Sequence, residues 1–127
     1  MTREQIDKMK DECLFPDTCK NSAISETHIS WIVLTDHFAF KVKRPVKLSF
    51  LDFSTLEKRK YFCHREVELN KRLAPDMYMG VVPITKSLSL EEPEDKDEII
   101  DYAVQMKRKI RHIKKYIDLM NNYCNHF

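Results

Sequence analysis

The sequence predicts an α+β domain: a small, mostly antiparallel sheet of four or five strands, one long helix packed against it, and a helix at either end of the chain. Three observations carry this. Two alternating segments, His28 to Leu34 and Phe38 to Arg44, are separated only by Thr35-Asp36-His37, the spacing of an antiparallel hairpin. A helix-start signature at Ser54 opens a run that lasts to Ala74-Pro75, where the residue before proline leaves helical geometry. Beyond it, Met79 to Leu90 and Ile99 to Met106 are again strand-like.

The elements follow in order. Thr2 to Leu14 has helical character, with Ile6, Met9, Lys10 and Cys13 along one side and Pro16 as its stop. Phe15 to Glu26 carries Pro16, Asp17, Asn21 and Ser22 and reads as a connector. In His28 to Leu34, Ile29, Trp31 and Val33 share one face while Ile32 and Leu34 share the other, so that strand should be covered on both sides. Pro45 closes the next strand. Ser54-Thr55-Leu56-Glu57 reads as a capping box with Ser54 as the cap and Glu57 as its partner. The helix that follows places Leu56, Arg59, Phe62, Glu66, Leu69 and Leu73 on one inclined row, with Cys63, Val67 and Asn70 beside it. Glu91 to Glu98 is an acidic turn around Pro93, and Ile99 to Met106 is a strong strand.

Composition bounds the function. A chain of 127 residues with 43% hydrophobic content can bury one modest core, and 33% charged residues exclude a membrane-spanning protein. The net charge of +2 gives no argument for a nucleic-acid partner, and no apolar run approaches a membrane span. Met1 to Lys10 is too charged for a signal peptide, which places the chain in the cytoplasm. The four cysteines, Cys13, Cys19, Cys63 and Cys124, show no paired close spacing and should be reduced there. Cys63-His64 and Cys124-Asn125-His126 do not supply two converging pairs of zinc ligands, so no metal site is expected.

The chemistry concentrates between Phe38 and Leu73. Phe38-Ala39-Phe40-Lys41 follows the V-A-I-K pattern of kinase strands, in which a small residue leaves room for a flat base and the lysine two positions on reaches phosphates. Alternation puts Ala39 and Lys41 on one face and Phe38, Phe40 and Val42 on the other; Lys43 shares the face of Lys41 and competes with it. Glu66 lies within the apolar stripe of the helix, where a carboxylate needs a cationic partner, and Lys41 is the candidate.

Ordered blocks across the chain carry a resemblance: Thr27-His28-Ile29-Ser30-Trp31, Phe40 to Val46, Phe50 to Arg59, Glu68 to Tyr78, Gly80 to Ile84 and Tyr102 to Arg108. They resemble the start of the aminoglycoside-phosphotransferase-like, protein-kinase-like family, and more narrowly its uncharacterised bacterial branch, in which the kinase-like domain is often fused to a P-loop ATPase domain. The resemblance runs from about residue 26 to 108. It implies three parts: an N-terminal helix and connector over 1–25, a kinase-like N-terminal lobe over 26–108, and a divergent segment over 109–127. It further implies ATP as the ligand, with Ala39 under the base, Lys41 on the phosphates, Glu66 as the helix partner of Lys41, and Gln105, Met106 and Lys107 in the connector whose backbone meets an adenine edge. Mg would join only with a second lobe.

Other kinase parts are missing. The chain holds one glycine, Gly80, so neither a glycine-rich phosphate loop nor a P-loop can form; the phosphates would rest on Thr35, His37 or the backbone of that turn, with a looser hold on ATP. Asp52-Phe53-Ser54 imitates a metal-binding D-F-G and His64-Arg65-Glu66 with Asn70 imitates a catalytic loop, but both stand before or within the helix that supplies Glu66. No catalytic or metal-binding residue is assigned. Lys109 to Phe127 reads as a basic amphipathic helix with Ile110, Ile113, Ile117, Met120 and Cys124 on one stripe. Two functions remain in contention. One is the nucleotide-binding half of a small-molecule kinase, incompetent without its catalytic lobe and completed by that lobe or by self-association. The other is a non-catalytic interaction module working through the basic helix.

Overall fold

The structure is a computed structural model that describes residues 1–108. The expected basic helix over 109–127 lies outside the described residues.

Helix α1 (Arg3–Asp11) is opened by Thr2, whose hydroxyl accepts from the Gln5 amide while the Gln5 side chain accepts from the Thr2 amide. It is shorter than the predicted span. Cys13 adopts a left-handed φ of 50°, and the Leu14 amide donates back to the Met9 carbonyl, so the chain reverses before Pro16 is reached. That reversal corrects the expectation of unpaired thiols: Cys13 and Cys19 form a disulfide, their Cα atoms 5.8 Å apart. Among the described residues the free cysteine is Cys63, which is buried.

Strands β1 (Ala23–Glu26), β2 (Ser30–Leu34), β3 (Phe38–Lys43), β6 (Tyr78–Thr85) and β7 (Ile99–Lys107) form one antiparallel sheet in the order β1-β2-β3-β7-β6. A separate small hairpin joins β4 (Lys47–Leu48) to β5 (Leu51–Asp52). The α+β class is therefore the observed one. β1 falls inside the segment expected to be a connector; its four residues show no clean alternation, and pairing with β2 decides its conformation. Met79 to Leu90 resolves into one strand, β6, at the edge of the sheet, where Pro83 is tolerated for want of a partner on its outer side. Gly80, at φ +149°, marks a register shift in β6. No helix among the described residues is long and apolar enough to cross a membrane.

Both sides of the sheet are covered, as the two apolar faces of β2 require. Trp31, Val33, Phe40, Val42 and Ala103 pack with Ile6 and Met9 of α1, and Phe15 stacks on Phe40 at 4.7 Å between ring centroids. Ile32, Ala39, Val104 and Met106 pack on the other side with Cys63 of α2 (Leu56–Leu73).

Helix α2 begins one residue later than predicted. Thr55, not Ser54, is the cap, accepting from the Lys58 amide, and the Ser54 amide and hydroxyl are held by Asp52. With Lys58 in the third position, Glu57 has no capping-box role. The buried stripe is also narrower: Arg59 and Cys63 are buried and Val67 and Ala74 pack beside Cys63, but Leu69 and Leu73 lie off that row and are exposed.

Candidate functional site

The site is built on the α2 side of β3. Ala39 and Lys41 are fully buried and Lys43 nearly so, and their register partners across the sheet are Leu34, Ile32 and Ser30 on β2. On the other flank Ala39 faces Met106 and Lys41 faces Val104 of β7. Period-two alternation thus produces a row that is apolar at the Ala39 end and cationic toward Lys43.

Glu66 completes the row from α2. Its Oε1 accepts from the Lys41 ammonium at 3.0 Å and from the Lys43 ammonium at 2.8 Å, while its Oε2 is buried with no hydrogen-bond partner among the described residues. The predicted Lys41–Glu66 pair is present. Lys43, read from sequence as an alternative to Lys41, is instead a second partner of the same oxygen. Lys43 also stands 4.9 Å from the centroid of the Phe53 ring.

The charges shape one another. Burial pulls the Lys41 ammonium down to about 8, the Glu66 carboxylate opposing that pull and the Lys43 ammonium adding to it. Burial pushes the Glu66 carboxyl up, but the two ammoniums outweigh it and hold Glu66 well below the usual range. Cys63, on the same side of α2, is pushed up to about 12 by burial and stays a neutral thiol. Among the described residues, the cluster places two cations on one anion.

A second buried pair braces α2. Asp101 is fully buried; its Oδ1 accepts from Arg59 Nε at 3.1 Å and from the Tyr102 amide, and its Oδ2 from the Met1 amine at 3.3 Å. Arg59 also donates to the Phe53 carbonyl at 3.0 Å. Sequence reasoning missed this pair, although a carboxylate inside the apolar run of β7 carries the same signal that singled out Glu66.

Of the residues assigned to the connector, Met106 shares the face of Ala39 and Lys41. Gln105 and Lys107 alternate to the other face, and the amides of Lys107 and Arg108 donate to the carbonyls of Met77 and His37. The Arg108 guanidinium donates to the carbonyls of Asn21 and Thr35, which ties the end of β7 to the turn between β2 and β3.

The turn expected to carry phosphates on Thr35 and His37 is lined by two carboxylates. Asp17 accepts from the His37 amide at 2.7 Å and meets the His37 ring Nδ1 at 2.7 Å, and Asp36 accepts from Thr18 and from the amides of Lys20 and Asn21. Two carboxylates there repel a phosphate, and the turn lies at the Ala39 end of β3, away from Lys43. The turn at the cationic end is Thr27 to Ile29, between β1 and β2, where Arg44 donates to the Thr27 and Ile29 carbonyls. β1, expected to be part of a connector, makes this turn the first hairpin of the sheet.

The His37 contact is testable. Its hydrogen bond to Asp17 raises the imidazole above its ordinary value, so the contact adds stability below the unfolded value and loses it as pH rises through the folded one. In an Asp17→Asn protein the His37 ring should titrate lower, back toward an unperturbed histidine, as read from its NMR resonances. An unmoved titration would show that the contact does not persist in solution.

No family model matches the chain. Uncharacterised proteins of Mycobacterium bovis and Mycobacterium tuberculosis are each 45% identical to it over 62 residues, a stretch covering 49% of this chain. The chain spans about 12% of the length of these curated relatives. No solved structure matches.

Proposed function

We propose that this chain is the nucleotide-binding N-terminal half of an aminoglycoside-phosphotransferase-like small-molecule kinase, without phosphotransfer of its own. The observation that carries the reading is the buried Lys41–Glu66 pair at 3.0 Å, made by the third strand of the sheet and the helix that follows it. Kinases use that combination, a strand lysine held by a helix glutamate, to place a cation on nucleotide phosphates.

The residues present fit ATP in kind. Ala39, Ile32, Val104 and Met106 form a buried apolar cluster against which a base would lie once it is uncovered, and Lys41 supplies positive charge for phosphates. The nucleotide would bring the phosphoryl group; this chain's residues would bind and orient it. Among the described residues, no cluster of three or more His, Cys, Asp or Glu side chains is placed to hold a metal, and phosphoryl transfer depends on such charge stabilisation. In this reading a second lobe would supply the acceptor and the metal.

ATP titration by calorimetry tests the reading. Wild-type protein is expected to bind and Lys41→Ala to lose binding, with no phosphate transferred to aminoglycosides or other small hydroxyl acceptors. Because Ala39 and Lys41 are fully buried, entry of the nucleotide must displace whatever covers them, so hydrogen exchange over β3 should change on binding. Binding that survives Lys41→Ala, or none in the wild type, would overturn the proposal.

A further inference from the structure

Two lysines on one carboxylate oxygen is an unusual expense in a buried site, since each ammonium taken from water must be compensated. One lysine would suffice to neutralise Glu66. The arrangement makes sense if the two have separate duties. Lys43 makes the shorter contact, 2.8 Å against 3.0 Å, and its ammonium is further fixed against the Phe53 ring. Lys41 stands nearer the apolar surface of Ala39 and Met106, where a base would lie, and so nearer the phosphates that follow it. The bare Oε2 of Glu66 leaves an acceptor in place, so the carboxylate can be held by one ammonium after the other turns away.

The geometry points to Lys43 as a positioning residue: it holds Glu66 and α2 in place, so that Lys41 can transfer its ammonium from the carboxylate to a nucleotide phosphate without leaving a buried anion unpaired. This rests on the nucleotide-binding reading. It differs from a single lysine–glutamate pair, in which phosphate and carboxylate compete for one ammonium. Among the described residues, the charged and titratable groups around Lys41 include Lys43 on its own strand and Glu66 and Cys63 on α2, with Asp101 of β7 acting on Cys63; its register partners on β2 and β7 are the apolar Ile32 and Val104.

The test compares wild type, Lys43→Met and Lys43→Arg by two measurements on the full chain: ATP affinity, and titration of the Lys41 amine by NMR of lysine labelled at Cε, read without nucleotide. Lys43→Met should bind ATP at least about tenfold more weakly, the size of one lost charge-assisted contact. Its Lys41 amine should titrate higher than in the wild type, because a like charge is gone and Glu66 belongs to Lys41 alone. Lys43→Arg should restore both, which a loss of folding would not explain. Wild-type binding with an unchanged Lys43→Met affinity, or an unmoved Lys41 titration, would overturn the assignment to Lys43 alone. A wild-type protein that binds no ATP would overturn the nucleotide reading and the phosphate transfer with it.

Discussion

Replacing Glu66 with alanine is expected to destabilise the fold by about 3–5 kcal/mol, the cost of removing one partner from a buried ion pair. The loss is large because that carboxylate accepts from two ammoniums, and both are buried. Against a typical total of about 5–15 kcal/mol, such a loss leaves a marginal protein. Urea denaturation measures it, and a loss below about 1 kcal/mol would mean that water or another group already compensates the lysines. The pH dependence has a definite sign. In the wild type, Glu66 is held below its unfolded value, so its contribution is present above the unfolded carboxyl range and disappears as pH falls through the depressed folded value. Lys41 is also held low, at about 8, so the protein gains stability as pH rises through that value toward the unfolded lysine range. In Glu66→Ala the acid-side loss should vanish and the alkaline gain should grow.

Asp101→Leu is expected to cost a similar amount, about 3–5 kcal/mol, by leaving the Arg59 guanidinium buried without its anion. The double replacement Asp101→Leu with Arg59→Leu should recover much of that loss, since a buried pair exchanged for apolar groups is often nearly neutral. A double-mutant cycle isolates the coupling. Strict additivity of the two single effects would show that Arg59 and Asp101 do not act as a pair in solution.

Much of the site could be read from the sequence because two periodicities meet there. Alternation put Ala39, Lys41 and Lys43 on one face, and the helical row put Glu66 opposite. Alternation could not separate the two lysines, since period two assigns them the same side and only distance ranks them. The long strand β7 and the helix α2 were legible because each buries a run of apolar residues between clear stops. β1 was not, because four residues with mixed exposure take their conformation from β2. Cys13 and Cys19 were unreadable as a pair because their meeting depends on one left-handed residue after α1, which spacing does not encode. Ser54 lost the cap to Thr55 because Asp52 engages Ser54 first, a local competition between neighbouring polar side chains.

The order of strands has a bearing on how the chain assembles during synthesis. Among the described residues β7 is the last strand in sequence, yet it lies between β3 and β6. Until it emerges, the ribosome-bound chain holds a three-stranded β1-β2-β3 meander open at its β3 as well as its β1 edge, and a β6 segment without its strand partner. Each open edge is a template for pairing with another nascent chain. Lys41 and Glu66 would also meet, at that stage, on a helix with little beneath it, since Val104 and Met106 arrive only with β7. The closing strand therefore sets the pace of folding through its long loop closure, and a polypeptide halted before Ile99 would be the species most prone to aggregate.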